Sequence, residues 1–238
     1  MTANEMKVEF NTLYDKIASA SAPGYTDKDI SVFLSKAQEI YLWEGFKPYS
    51  SFQENEKRRR DFDELITYNT PSASSVQTGV HPNGVFYDLP TNFLYSLKEE
   101  ITSTSSDTCK NNIRVSVKPI TEGDYNANIN NPLKKPYIQD GDGLVWRMDF
   151  SKATSTSAKR HELITDGTFT VGTYYIRYIR KPQDIVPFTN DGSTTAIASC
   201  ELPEITHRQL IEMAVRIATG TTNPQEYQLK VTEEKLNE

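Results

Sequence analysis

Apolar residues recur every three or four positions through roughly the first seventy residues, every second position from about Ser72, and every three or four again from Thr206. The first stretch carries three helix openings, Thr2-Ala-Asn-Glu5, Thr26-Asp-Lys-Asp29 and Ser51-Phe-Gln-Glu54. A hydroxyl residue followed three positions later by an acid can satisfy the free amides of a first helical turn reciprocally. The first helix puts Met6, Phe10, Leu13 and Ile17 on one face, the stripe of an antiparallel bundle or coiled coil, before Pro23-Gly24 breaks it. The second aligns Ile30, Phe33, Leu34, Ala37, Ile40 and Tyr41 and is predicted to end at Gly45. A third carries Phe62, Leu65 and Ile66 and stops before Pro71.

From Ser72 the period predicts strands at 85–89, 93–101, 113–120, 144–150, 161–164 and 169–180, separated by Gly, Asn, Asp and Pro clusters. The clearest is Ile113-Arg-Val-Ser-Val-Lys118, whose strict alternation requires one buried and one wet face. Asp140-Gly-Asp-Gly143, Asp166-Gly167 and Asn190-Asp-Gly192 supply hairpin turn chemistry, and Ser103–Ser106 and Ala153–Ser157 read as polar loop tips. The middle is thus expected to be an antiparallel sheet or small barrel.

Helix returns at Thr206-His-Arg-Gln209, with Leu210, Ile211, Ala214, Ile217 and Ala218 as its stripe and Gly220 as its stop. The expected fold class is α+β: N-terminal helices (1–70) and a C-terminal helix (203–222) form a bundle, with an antiparallel β domain (71–202) inserted. Residues 223–238 are polar and acidic, and are expected to be an extended arm that orders on a partner.

Composition narrows the classes of function. The chain has 238 residues, a net charge of -6, 37% hydrophobic residues and a mean hydropathy of -0.59, so its surface must be polar. Thirteen tyrosines against two tryptophans suit half-buried strands and contact surfaces, where a ring packs while its hydroxyl finds a polar partner. The acidic balance gives no footprint for wrapping a phosphate backbone. The sequence holds no apolar run long enough for a membrane span, and residues 1–7 lack a cationic flank leading into an apolar stretch, so cytosolic synthesis without membrane contact is expected. Cys109 and Cys200 lack metal spacing and read as idle thiols.

No motif carries chemistry. His81, His161 and His207 stand alone in a turn, on a strand and in a first helical turn, and read as packing or solvent histidines, His207 as a surface or interface residue. Asp140-Gly-Asp142-Gly143 opens like a calcium loop, but Leu144, Phe150 and Ser151 stand where ligands are needed, so a hairpin turn is expected. Lys57-Arg-Arg-Arg60 is flanked by Glu54, Glu56, Asp63 and Glu64 at helical spacing, which favours a salt-bridged helix face over a DNA-contact patch or an inter-subunit one. Phosphate loops, nucleophile elbows and dinucleotide fingerprints are missing. No catalytic, cofactor-binding or metal residue is therefore assigned and no enzyme activity is expected. A dispersed acid pair such as Asp142 and Asp149 is the residual enzymatic reading.

Several stretches, taken in order, carry a likeness: Asp29-Ile-Ser-Val-Phe-Leu-Ser-Lys-Ala-Gln38, Tyr87-Asp-Leu-Pro-Thr-Asn-Phe93, and Val117-Lys-Pro-Ile-Thr-Glu-Gly-Asp-Tyr125 with Asn131-Pro-Leu-Lys-Lys-Pro136. Tyr175-Ile-Arg-Tyr-Ile-Arg-Lys-Pro-Gln-Asp-Ile185 and Leu202-Pro-Glu-Ile-Thr-His-Arg-Gln-Leu-Ile-Glu-Met-Ala214 complete it. The succession resembles the head-to-tail connector and tail ring proteins of short-tailed bacteriophages, especially the crAss-like phages of gut Bacteroidales. The resemblance implies a structural virion protein of the tail or neck, made in the host cytoplasm and assembled as a ring of about twelve copies. It further implies docking to the portal and adjacent tail rings, and a bore through which double-stranded DNA and cargo exit without specific binding. No catalytic residues carry over; Leu89-Pro90, Lys181-Pro182 and Leu202-Pro203 would position a strand, end one and launch the last helix. An acidic conduit wall repels phosphates, which favours transit. A carbohydrate- or receptor-binding β module of a virion or cell surface is the alternative, on the strength of the aromatic supply and polar loop tips.

Overall fold

The computed structural model describes residues 1–17, 24–45, 60–139, 142–151, 159–187 and 198–222, with backbone alone at 16–17, 74–78 and 221–222. The chain divides into two compact units, Met1–Leu65 with Pro182–Glu238, and Ile66–Lys181.

The first unit is helical. α1 (Ala3–Ile17) and α2 (Asp27–Gly45) open on the expected reciprocal caps: the Thr2 amide donates to Glu5 at 2.8 Å, and the Thr26 amide to Asp29 at 3.0 Å. The α1 stripe turns out to be Ala3, Met6, Phe10 and Tyr14, with Leu13 only half-buried. Tyr14, Tyr25 and Phe33 gather round Phe10, and the Tyr25 hydroxyl donates to the Ala218 carbonyl on the last helix, α4 (Glu204–Thr222). α4 starts two residues before the Thr206 box and runs past Gly220; Thr206 lies inside the first turn and donates its hydroxyl to Pro203. α2 buries a polar residue, Gln38, that no apolar stripe predicts. Its Nε2 donates to the Gln183 carbonyl at 3.0 Å, Ser31 donates to the Ile185 carbonyl at 2.6 Å, and Ser35 accepts from the Ile185 amide. Positions 31, 35 and 38 form a polar helix edge that satisfies an extended segment lying along it.

The second unit is a nine-stranded mixed sheet. Its strands are β1 (Ile66–Asn69), β2 (Ala73–Thr78), β3 (Gly84–Asp88), β4 (Phe93–Thr104), β5 (Arg114–Pro119), β6 (Tyr137–Gln139), β7 (Asp142–Ser151), β8 (Lys159–Ile164) and β9 (Thr170–Arg180). The order is β1-β9-β4-β5-β7-β8-β3-β2, with β6 beside β7. This overturns the expected bundle with an antiparallel insert. The third helix does not extend to Ile66: Arg60 and Asp61 are helical, Asp63–Leu65 is a single 3-10 turn, and Ile66-Thr-Tyr-Asn69, β-branched and aromatic, pairs with β9. The opening of that helix at Ser51 lies outside the described residues. Nor is the sheet antiparallel throughout, because β5 and β7 run parallel. The long connection that this needs holds α3 (Glu122–Asn128), capped reciprocally by Thr121 and Asp124, and then β6, which runs antiparallel to β7. That box, Thr121-Glu-Gly-Asp124, has the signature read elsewhere in the chain.

Chain length forces the sheet to curl. Eight flat strands would hold β1 and β2 about 34 Å apart at their usual spacing. Yet Asn69 and Ala73 are joined by residues 70–72 alone, a reach of about 14 Å. Side chains confirm it: the rings of Tyr87 on β3 and Tyr174 on β9 lie 5.4 Å apart across the interior. Register shifts along the β4–β9 pair bend its two longest strands. The curl encloses an apolar core that includes Leu89, Ile101, Val145, Leu163 and Ile176. Ser103, expected at a loop tip, is buried and donates its hydroxyl to the Lys110 carbonyl at 2.6 Å.

A polar layer crosses this core. Arg147 on β7 donates to Glu99 on β4 at 2.8 Å, and the Tyr174 hydroxyl donates to the other Glu99 oxygen at 2.7 Å. Both charged side chains are buried, so removing one strands the other without water. Arg147→Met is expected to lower stability by about 3–5 kcal/mol in urea unfolding. Adding Glu99→Leu should recover much of the loss, because an apolar pair of similar volume leaves no orphaned charge.

Candidate functional site

His161 sits within that layer, 1% exposed. Its Nδ1 lies 2.8 Å from the Tyr174 hydroxyl. Because the phenol hydrogen goes to Glu99, the hydroxyl oxygen accepts from His161. Nε2 meets Arg147 at 3.0 Å and Asp149 at 3.1 Å. Burial, with the Glu99 charge beside it, drives the Tyr174 phenol far above its ordinary range and keeps it protonated. The His161 hydrogen bond, opposed by burial and aided by Arg147, holds the Asp149 carboxyl below its ordinary value. The five groups tie β4, β7, β8 and β9 together across the curl, an arrangement that joins strands.

The other sheet face carries a second network, since neighbours on a strand point to opposite sides. Glu162, next to His161, is fully buried there. Its Oε1 accepts the His81 backbone amide at 2.8 Å and its Oε2 meets His81 Nδ1 at 2.9 Å. His81 Nε2 reaches Glu122 on α3 at 3.1 Å, and its ring packs on Tyr125. Glu162 nestles against Gly79 and Gly84, where a Cβ would collide with its Oε1. His81 thereby clamps α3 to the sheet over an apolar cluster of Tyr125, Trp146, Met148 and Ile164.

The remaining expectations scatter. His207 is buried rather than exposed, and its Nε2 donates to the Leu202 carbonyl at 2.8 Å. Asp142 meets Tyr137 and Asp149 meets His161, at opposite ends of β7, so the two acids do not converge. Asp140 and Gly141, Lys57–Arg59, Asn190–Gly192, Ala153–Ser157 and the arm at 223–238 lie outside the described residues. Cys109 is exposed and Cys200 half-buried, both as free thiols. Among the described residues, no three His, Cys, Asp or Glu side chains are placed to hold a metal ion.

The outer face of the curl is different in kind. Register aligns Tyr68, Arg177 and Lys98 in one row and Tyr175, Glu100 and Ser116 in the next, with Arg114 beyond. Arg177 lies over the Tyr68 ring at 5.5 Å and Arg114 over the Tyr175 ring at 4.9 Å. Glu100 pairs with Lys98 at 2.7 Å and Arg114 at 3.5 Å. Alternation along β5 and β9 marked this face as the wet one, but its aromatic and cationic rows arise only from register.

The His81 clamp makes a pH-dependent contribution. Burial pulls the His81 pKa down, but hydrogen bonds to Glu162 and Glu122 outweigh it, and the net shift is upward. Stabilisation is then complete below the unfolded value of about 6.5 and is lost as pH rises through the higher folded value. In urea titrations the stability gap between the native chain and His81→Gln is expected to be widest near about pH 6 and to narrow toward about pH 9. A gap that widens with pH would show that neutral imidazole is the favoured form.

The family described as phage tail ring protein 3/4 matches residues 1–228. Ring protein 4/5 of Bacteroides phage crAss001 is 30% identical over 234 residues, covering 92% of both chains. Ring protein 3 of the same phage is 27% identical over 231 residues, covering 92% of this chain and 95% of its own. The chain belongs to the phage tail ring protein 3/4 family.

Proposed function

We propose that this tail ring protein assembles as a closed ring of about twelve copies, stacked with the portal and neighbouring tail rings. Its bore passes double-stranded DNA and cargo during ejection without gripping them, and it acts without catalysis. The observation that carries the reading is the family match along 1–228, with relatives of nearly equal length that bear the name ring protein. The net charge of -6 supports the conduit role, because a wall rich in cations would have to break each phosphate contact as DNA moved. The hydrogen bonds of the two histidine networks run between strands and from a strand to α3, which supports a structural use of these groups.

Electron microscopy and mass photometry of the purified chain test the reading. Closed rings of uniform size are expected, with no retention of duplex DNA at physiological salt. A stable monomer that binds glycans would instead establish the carbohydrate-binding alternative.

A further inference from the structure

Charge is divided unequally between the two units. Counted over the full sequence, the helical unit holds 13 Lys and Arg against 21 Asp and Glu, a balance of -8. The sheet unit holds 13 against 11, a balance of +2. Within the sheet unit, the outer face of β9, β4 and β5 concentrates the cations: Lys98, Arg114, Lys118 and Arg177 stand there against the single carboxylate Glu100. Lys98, Arg114 and Lys118 are exposed, and Tyr68 at the margin is 73% exposed.

We propose that this outer sheet face is the docking surface for the acidic helical unit of a second copy, so that the ring closes head-to-tail through opposite charges. The inference rests on the ring reading above and adds its interface. A ring of identical subunits needs two different, mutually complementary patches on each copy. The chain carries such a pair in its charges: a cationic sheet face and a helical unit of balance -8. Stacking on Tyr68 and Tyr175 holds two guanidinium groups in place before contact, which lowers the entropy lost when they meet carboxylates. Tyr and Arg are also the residue types in which interface binding energy concentrates. A duplex phosphate backbone is the competing occupant of a cationic face. A second copy is favoured because the family is described as tail ring proteins and because covering this face between subunits would leave the remaining surface acidic, as the proposed DNA conduit requires.

The test uses the full-length chain and its Arg114→Glu/Arg177→Glu variant, with Lys98→Glu/Lys118→Glu as a second variant at exposed positions. Thermal melting checks folding. Mass photometry follows assembly as salt rises from about 0.05 to about 0.5 M, a range over which exposed charges become screened. Native rings should dissociate at the higher salt, and both variants should remain monomeric at the lower. Added to native protein, a variant should shorten its assemblies below equimolar ratio, since its acidic unit still binds but its sheet face cannot extend the chain. Native and variant rings of equal yield and salt dependence would overturn the proposed interface and leave the ring reading standing. Native protein that is monomeric at every salt would overturn the ring reading itself. Variants that assemble normally but lose binding of a labelled DNA duplex shown by the native chain would assign the face to nucleic acid instead.

Discussion

The three residues between β1 and β2 constrain the sheet unit more than any single contact. Consecutive strands so closely joined cannot lie at the two ends of a flat eight-strand path, so the path bends until its ends come within reach of the short link. Once it bends, side chains from distant strands face one another across a shared interior. Tyr174 can then meet both Tyr87 and His161, and Glu99 can meet Arg147, although β5 separates β4 from β7. The polar layer is a consequence of the curl and also fixes it, because flattening the sheet would pull the buried Arg147 and Glu99 apart.

The two histidine networks show how one strand serves both faces. His161 and Glu162 are adjacent, fully buried and directed to opposite sides of β8, the first into the curl and the second beneath α3. Burying a carboxylate beside two glycines is costly unless its oxygens are met, and His81 meets them with both its backbone amide and its ring. The same ring then reaches Glu122, so α3, a helix of only two turns, is held by a clamp as well as by Tyr125 packing.

How much of this was legible follows from which signals are local. Alternation fixed β5 and β9, and the caps at Thr2 and Thr26 fixed two helix starts, because each signal lies within a few consecutive residues. β1 was misread as helix because Phe62, Leu65 and Ile66 fit a helical spacing, and only pairing with β9 makes Ile66 a strand residue. Strand direction is not local either: a wet-and-dry alternation is identical beside a parallel or an antiparallel neighbour. The capping box at Thr121 was local and informative, yet Gly123 in its first turn and the strands on either side masked it. Burial of His81, His161 and His207 depends on partners 5 to 81 residues away, which spacing along the chain cannot reveal.

In the proposed ring, docking through charge suits a subunit that is free before it assembles. Individual exposed ion pairs contribute little, about 0–1 kcal/mol each, and a single such contact would dissociate readily. Closing a ring changes the balance, because the final contact forms between parts already tethered and needs no further loss of translational freedom. In the proposed ring, weak, reversible contacts would therefore give a stable closed assembly while letting misdirected open chains come apart. Like-charged faces also repel, which would disfavour sheet-to-sheet and helix-to-helix pairing and favour the proposed head-to-tail growth. In the proposed interface, the segregation of charge between the two units would select the direction of assembly as well as its strength.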